Sequence, residues 1–413
     1  MKAVPERFLW FWLPGLLIFI VGLKQCWFTG QADPWLWGWA ACLILAPTGW
    51  WLGRRGWALP IWACMGAAGS ALIFCIIAAG RQPDPVAAGG LICVALLGAM
   101  AGCALRARRW RIGAAALVAA SLLLYLGPAQ PIAPVQDRPK LAVITGLPLF
   151  WAEPGQGAEH GPADAPIITV LRTRFTVKPM DDLAQLEKTG AKLLLLAQPR
   201  SLSPAGLIVI DRWVRDGGTV LVLSDPLLRW PSALPLGDRR RAPSASLLAP
   251  LLTHWGFRAD YVRDGEVRYV TPDQDLVTVS GIQVFQTDID DGRVESGDGF
   301  VRRKRIGRGM VVVVGDADLL DDRLWLADPA RPLDLHSWSA DTPARVANWL
   351  GAPIPGERRW MRDGISTILA VRWALLAGLI WAILGSVIFT WRAGTNESRT
   401  KAENEMPDPR KCD

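Results

Sequence analysis

Residues 193–226 read LLLLAQPRSLSPAGLIVIDRWVRDGGTVLVLSDP and place a strand, a helix and a second strand within one short span. Residues 193–196 and 220–223 are continuous apolar runs, which is the pattern of strands that are covered on both faces. A strand, a crossover helix and another strand this close together favour a right-handed parallel βαβ unit. The stretch therefore predicts an α/β domain with a parallel sheet and helices on both faces.

The helix between the two strands has clear end signals. Ser203 is suited to cap its N-terminus, and Pro204 is suited to its first position. Gly217 and Gly218 end it. The apolar residues that recur every three or four positions are Leu207, Ile210, Trp213 and Val214.

The carboxyl ends of the strands are where sheets of this kind bind ligands. A later apolar run, residues 310–314, predicts another buried strand with an acidic segment after it. Polar residues that follow the three runs form the candidate functional edge of the sheet. They are Gln198, Ser224, Asp225, Asp316 and Asp318.

The acidic residues at this edge allow two interpretations. In the first, residues 316–322 meet Asp225 and bind Mg²⁺ or Ca²⁺ through carboxylate oxygens. In the second, Asp316 or Asp318 caps the following helix and Asp321 faces water. We favour capping, because the spacing does not match an EF-hand, and we predict no metal and no cofactor.

The sequence has no motif of the common hydrolases or ATPases. There is no G-x-S-x-G for a nucleophile elbow and no G-x-x-x-x-G-K-[ST] for a phosphate-binding loop. The cysteines lie in or beside the N-terminal apolar segments, apart from Cys412 at the tail, so the polar domain has no thiol nucleophile. We therefore predict a protein that is not an enzyme.

The apolar segments and the 22 tryptophans indicate a membrane protein. Six segments approach the length that crosses a bilayer. They are residues 8–23, 35–52, 57–79, 86–105, 112–127 and 373–391. The corresponding division of the chain is 1–127 for five transmembrane helices, 128–139 for a linker, 140–363 for the α/β domain, 364–391 for a last transmembrane helix and 392–413 for a disordered tail.

The charges of the short loops orient these segments. Arginines cluster in the loops at residues 54–55 and 106–111, whereas the opposite loops hold Lys24 and Arg81. The positive-inside rule then places both termini in the cytoplasm and residues 128–372 in the periplasm of a bacterial inner membrane. The loss of one span would invert the domain.

Two further patterns complete the expected architecture. Small residues recur at 66–70 and 98–102, which indicates close helix packing, either within this chain or against a partner. Alternating apolar residues across 266–306 predict a small antiparallel β insertion in the polar domain.

Three blocks resemble one known family. LSPAGLIVIDRWVRDGGTVLVLSDP at 202–226, GRGMVVVVGDAD at 307–318 and NWL at 348–350 look like the extracytoplasmic domain of uncharacterised ABC-type transport auxiliary proteins. The gliding-motility transporter accessory component is an example, and the domain is similar to one in an intraflagellar transport subunit. The resemblance covers about 140–373 and implies a flavodoxin-like, class I glutamine amidotransferase-like sheet without catalytic residues.

The resemblance also implies partners. It suggests an integral accessory subunit whose ABC ATPase and permease are separate chains, and whose periplasmic domain binds a partner or a cell-envelope glycan. We predict no nucleic-acid partner, because much of the net charge of +7 lies in short loops between apolar segments, where the positive-inside rule accounts for it. The five N-terminal spans match the family's permease-fused layout only loosely. The alternative is a membrane-anchored hydrolase of the cell envelope that uses carboxylates or a metal at Asp225, Asp316 and Asp318.

Overall fold

The computed structural model describes residues 3–153, 164–271, 274–287, 299–356 and 358–404. The chain divides into two compact units. The first unit contains Met1–Ala129 and Arg359–Asp413, and the second contains Gln130–Arg358.

The first unit is built from helices. They are α1 (Ala3–Thr29), α2 (Gly38–Leu52), α3 (Ala58–Ala79), α4 (Pro85–Arg106), α5 (Trp110–Leu126) and, after the second unit, α10 (Gly364–Asn404). Four stretches of these helices are long and apolar enough to cross a membrane, which indicates membrane association. These stretches are Arg7–Thr29, Ala58–Ala79, Pro85–Arg106 and Gly364–Trp391.

The two other segments expected to cross are shorter helices. The segment at 35–52 is divided into a 3₁₀ turn, Pro34–Trp37, and the 15 residues of α2. A helix of that length rises about 22 Å, which is less than the hydrocarbon thickness of about 30 Å. With 17 residues, α5 is at the lower limit of a span.

Small residues allow the helices of this unit to approach closely. A Cβ on Gly102 in α4 would overlap the carbonyl oxygen of Ala46 in α2, so these two helices meet backbone to backbone. Between α3 and α10, the Trp62 and Trp381 rings stack with centroids 4.2 Å apart, and each indole N–H donates to the other residue's carbonyl oxygen. A Cβ on Gly66 would lie 2.5 Å from the Trp381 ring, so a residue from each small-residue run packs within the unit.

The second unit contains all eight strands of the described residues. They are β1 (Lys140–Thr145), β2 (Thr176–Pro179), β3 (Leu193–Ala197), β4 (Thr219–Leu223), β5 (Phe257–Val270), β6 (Leu276–Thr287), β7 (Val301–Ile306) and β8 (Gly309–Val314). Its helices are α6 (Pro166–Leu171), α7 (Pro204–Arg215), α8 (Ala249–His254) and α9 (Thr342–Trp349). The main sheet has the order β2-β1-β3-β4-β8-β7.

The main sheet is parallel except at one edge. Strands β2, β1, β3, β4 and β8 run parallel, and β7 pairs with β8 antiparallel. On one face, Leu194, Leu196 and Val220 pack in a core with Ile210 and Trp213 of α7. The alternate residues, such as Leu195 and Leu221, are buried too, so both faces are covered as the continuous apolar runs predicted.

The helix α7 follows its sequence signals closely. The Ser203 hydroxyl accepts a hydrogen bond from the Gly206 N–H at 3.1 Å, and Pro204 is the first helical residue. Ile210, Trp213 and Val214 are buried against the sheet. The mixed α/β class with a mainly parallel sheet is therefore confirmed.

Several local expectations differ from the structure. The alternating region forms the antiparallel pair β5–β6, but its last strand, β7, joins the main sheet because residues 301–306 pair with β8. Between β2 and β3 the chain forms two 3₁₀ turns, Leu183–Gln185 and Glu187–Thr189, and Asp182 caps the first of them. The segment after β8 likewise forms 3₁₀ turns, Asp318–Leu320 and Asp322–Leu324.

Candidate functional site

Three adjacent parallel strands end at the same level of the sheet. Ala197 of β3 is in register with Leu223 of β4, and Leu223 is in register with Val314 of β8. The residues that follow these strands therefore lie side by side. The site residues expected from the sequence, Gln198, Ser224, Asp225, Asp316 and Asp318, are all buried at this edge.

Gln198 connects the ends of two strands through its side chain. Its Nε2 donates to the Asp225 carbonyl oxygen and to the Pro243 carbonyl oxygen, and its Oε1 accepts from the Asp225 N–H, each at 3.1 Å. The backbone of Gln198 is in the left-handed region, with φ of +44°. All polar groups of its side chain thus bond to backbone groups inside the protein.

Ser224 faces a cavity next to this edge. Its hydroxyl donates to the Ser246 hydroxyl at 2.8 Å, and its N–H continues the sheet by donating to the Val314 carbonyl oxygen. The cavity has a volume of about 230 Å³ and is lined by Ser224, Ser246, Leu252, Phe257 and Phe285, among others. None of the acidic residues at the sheet edge, Asp225, Asp316 and Asp318, lines this cavity.

The Asp225 carboxylate is held by backbone N–H groups. Its Oδ1 accepts from Leu227 at 2.8 Å, and its Oδ2 accepts from Ala317 at 3.2 Å and from Asp318 at 3.4 Å. These bonds fix the loop that follows β4 to the loop that follows β8. Burial raises the pKa of Asp225 above its ordinary value, although the N–H donors oppose this shift.

Asp316 and Asp318 accept bonds from distant segments rather than capping the turn that follows them. The Asp316 Oδ2 accepts from the Ser280 N–H in β6, and the Asp318 Oδ2 accepts from the Arg229 N–H, both at 2.7 Å. The capping interpretation is therefore wrong for these two side chains. It is also wrong that Asp321 faces water, because this residue is buried and pairs with Arg323 while it caps the next 3₁₀ turn.

Carboxylate oxygens of Asp225, Asp316 and Asp318 all lie within 4.8 Å of one another. Burial, together with the Asp225 carboxylate, raises the pKa of Asp316 well above its usual range. Burial also raises the pKa of Asp318 to about 7. The three side chains thus form a group that could hold a metal ion or retain protons at neutral pH.

The described histidines lie elsewhere. His254 is 3.4 Å from the Asp211 carboxylate, and His336 is 3.3 Å from the Asp334 carboxylate. Neither contact involves the hydroxyl of Ser224. This arrangement gives Ser224 no described histidine base of the kind that activates a serine nucleophile.

Two buried acidic groups escaped the sequence analysis. Glu153 is buried and accepts from the Ser232 hydroxyl at 2.8 Å and from the Ala233 N–H at 2.7 Å. Asp341 is buried, accepts from the Leu276 N–H and pairs with Arg358. No local pattern marks these partners, because each pair joins segments that are distant in sequence.

Part of the second unit matches the model of a known protein family. Residues 138–265 match the family model described as an ABC-type uncharacterized transport system. The resemblance to auxiliary proteins of ABC-type transport systems is therefore confirmed over these residues. The match contains the first of the three sequence blocks and ends before the acidic segment after β8.

Solved structures give only remote likenesses. An exo-beta-1,4-mannosidase from Opitutaceae bacterium strain TAV5 is 12% identical, with a TM-score of 0.31, over 59% of this chain and 39% of the mannosidase. The mmIFT52 N-terminal domain is 15% identical, with a TM-score of 0.33, over 52% of this chain and 99% of that domain. A cytoplasmic protein from Salmonella typhimurium is 12% identical, with a TM-score of 0.28, over 52% of this chain and 100% of that protein. No curated protein matches the chain.

Proposed function

We propose that this protein is a non-enzymatic, integral accessory subunit of an ABC-type transport system in a bacterial inner membrane. The observation that carries the proposal is the match of residues 138–265 to an ABC-type transport family in a chain that also has four helices able to cross a membrane. In this proposal the ATPase and the permease are separate chains, and the lack of a phosphate-binding loop motif in this sequence supports that arrangement for the ATPase. Its α/β unit is a periplasmic module that docks a partner or binds a ligand.

The order of the parallel strands supports a flavodoxin-like sheet. Strands β2, β1, β3, β4 and β8 follow the order 2-1-3-4-5 of that fold, with β7 added at the edge. Ligands of such folds bind where the order reverses, which here lies between β1 and β3. The class I glutamine amidotransferase-like assignment rests on the sequence resemblance alone.

Contacts at this reversal point favour docking over catalysis. A Cβ on Gly146 would lie 2.7 Å from the Gln198 carbonyl oxygen and 3.0 Å from Pro243 Cδ, so these groups pack tightly after β1. The Gln198 amide is also bonded to the Pro243 carbonyl oxygen. Backbone and proline atoms are thus closely packed at this reversal point, which supports a docking role over catalysis there.

The hydrolase alternative has one observation in its favour, which is the proximity of three carboxylates. Asp225 and Asp316 are 0% exposed and Asp318 is 2% exposed. Groups this deeply buried do not touch a cell-envelope substrate without rearrangement. If the unit binds a small ligand or part of a glycan, the cavity beside Ser224 is the better place, because it is open and carries hydroxyl groups.

The membrane topology depends on the two short helices. If both α2 and α5 cross the bilayer, five crossings precede the α/β unit, and the arginine-rich loops at residues 54–55 and 106–111 lie on the same side as the N-terminus. This unit is then on the opposite side from the N-terminus, which the arginine-rich loops place in the cytoplasm. The return of α10 brings the C-terminus back to the cytoplasm.

Affinity purification tests the proposal. The tagged chain and a variant that lacks residues 130–358 are purified side by side in a mild detergent from the native host. We expect the full chain to recover both an ABC ATPase and a permease, and the shortened chain to show whether the α/β unit carries that contact. Recovery of neither subunit with the full chain, under conditions that keep it folded, would contradict the proposal.

A further inference from the structure

The ends of β4 and β8 bring together three buried carboxylates that have no described cationic partner. Asp225 follows β4, whereas Asp316 and Asp318 follow the adjacent β8. Arg229 and Arg323 are close enough to interact with the charge of Asp318, but they form their ion pairs with other carboxylates, Asp264 and Asp321. Buried negative charge of this kind needs a proton, a positive partner or a metal ion.

Main-chain N–H groups donate hydrogen bonds to some of the carboxylate oxygens and leave others without a hydrogen-bond partner. One oxygen of Asp316 and one of Asp318 accept main-chain N–H groups, as do both oxygens of Asp225. N–H donors favour the ionised form of a carboxyl group. The remaining Oδ1 atoms of Asp316 and Asp318 are buried and have no hydrogen-bond partner.

The spacing of the oxygens suits an oxygen-bound cation. One oxygen from each side chain lies within 4.8 Å of the other two. Two oxygens on opposite sides of Ca²⁺ are about 4.6–5.2 Å apart, and those around Mg²⁺ are about 4.0–4.2 Å apart, given the bond lengths of these ions. We propose that Asp225, Asp316 and Asp318 bind one hard divalent cation, Mg²⁺ or Ca²⁺, as a structural centre.

Such a centre would join three segments of the unit, which are the loop after β4, the segment after β8 and the strand β6. Asp225 and Asp316 are at the ends of neighbouring strands, Asp316 also holds β6 through Ser280, and Asp318 holds the loop after β4 through Arg229. The cation thus secures the β5–β6 pair and this loop to the sheet. The inference does not depend on the proposed role in transport.

The competing arrangement is a proton shared between Asp225 and Asp316. It would satisfy the Asp316 oxygen without metal, but it leaves the Asp318 Oδ1 unpartnered. The two arrangements respond differently to added cations, because a divalent ion that displaces the protons stabilises the metal site, whereas a group that keeps its shared proton gives no response.

The test uses the full chain in detergent at pH 7.5. The protein is treated with EDTA, exchanged into metal-free buffer, and titrated separately with MgCl₂ and CaCl₂, with KCl at equal ionic strength as the salt control. We expect at least one divalent ion to raise the melting temperature by several degrees. Equilibrium dialysis with elemental analysis is expected to give about one bound ion per chain.

Two variants locate the site. Asp316→Asn and Asp318→Asn are each expected to lower cation affinity at least tenfold, while Asp316→Asn without metal melts at or above the wild-type temperature because it carries less buried charge. Asp328→Asn, which alters a partly exposed carboxylate paired with Arg331, is the matched control and should keep the full response. Dialysis measures binding even if one variant is unstable.

Two results would overturn the inference. One is the absence of stoichiometric Mg²⁺ or Ca²⁺ in the wild-type chain, with a melting temperature that does not respond to either ion. The other is an equal response in wild type, Asp316→Asn and Asp318→Asn, which would place the bound ion elsewhere.

Discussion

The side chain of Gln198 forms two hydrogen bonds with the backbone of Asp225, donating to its carbonyl oxygen and accepting from its N–H. This paired contact links the carboxyl ends of β3 and β4 and fixes the direction in which the Asp225 side chain leaves the sheet. The arrangement of the acidic group therefore depends on an uncharged residue that follows a neighbouring strand.

Replacement of Gln198 tests this link. We expect Gln198→Ala to destabilise the α/β unit by about 1–3 kcal/mol, because the buried Asp225 N–H loses its acceptor. Gln286→Ala is the control, since Gln286 bonds to Asp260 at the surface and its loss should cost under about 0.5 kcal/mol. Melting temperature and hydrogen exchange at residues 219–225 provide the measurements. Equal effects of the two substitutions would show that the paired contact does not stabilise the sheet edge.

The stability of the unit should depend on pH through Asp318. Its pKa is raised by burial to about 7, so the folded state holds a proton that the unfolded state releases near pH 4. Stability is therefore fully present below about pH 4 and is lost as pH rises toward 7. With EDTA present, the free energy of unfolding of the wild type should fall between pH 4 and 8. In Asp318→Asn this fall should be smaller by on the order of 2 kcal/mol.

A second carboxylate provides the control for this pH series. Arg240 holds the pKa of Asp238 at about 2, so Asp238 remains ionised over the whole range. Asp238→Asn should shift the melting temperature by the same amount at every pH from 5 to 8, where Asp238 is ionised in both the folded and the unfolded state. A wild-type stability that rises from pH 5 to 8 in EDTA would contradict the predicted sign.

Close packing of α2 on α4 should make Gly102 intolerant of a side chain. A Cβ there overlaps the Ala46 carbonyl oxygen and approaches the Trp50 nitrogen to 2.7 Å, so the helices must separate in Gly102→Ala. Overpacking of this kind costs about 1–3 kcal/mol. Gly89→Ala in the same helix meets no atom within 4 Å and should be neutral or slightly stabilising. Thermal unfolding in detergent compares the two variants, and similar melting temperatures would argue against the backbone contact.

Reporter fusions test the membrane topology. We expect alkaline phosphatase to be active when fused after residue 130, at the start of the unit proposed to be periplasmic, and inactive when fused after residue 108 in the arginine-rich loop. Green fluorescent protein at the same positions should give the opposite pattern. An inactive phosphatase at 130 would mean that only one of α2 and α5 crosses the bilayer.

The sequence by itself determined the class of the fold and its repeating unit. The strands β3, β4 and β8 and the helix α7 are recognisable because their signals are local: continuous apolar runs, the cap at Ser203 and the apolar spacing of the helix. The same local logic placed Gln198, Asp225 and Asp316 after the ends of strands. The resemblance to ABC-type auxiliary proteins likewise rests on contiguous residues.

Only the tertiary structure decided what those residues contact. The Asp316 side chain accepts from Ser280, 36 positions earlier in the chain, rather than from the turn beside it. Asp225 is likewise bonded to Ala317, 92 positions later. The pairing of β7 with β8 and the meeting of Gly102 with Ala46 also join separate segments. Such contacts arise from the way whole elements pack, and the energy that selects them is not encoded in the spacing of neighbouring residues.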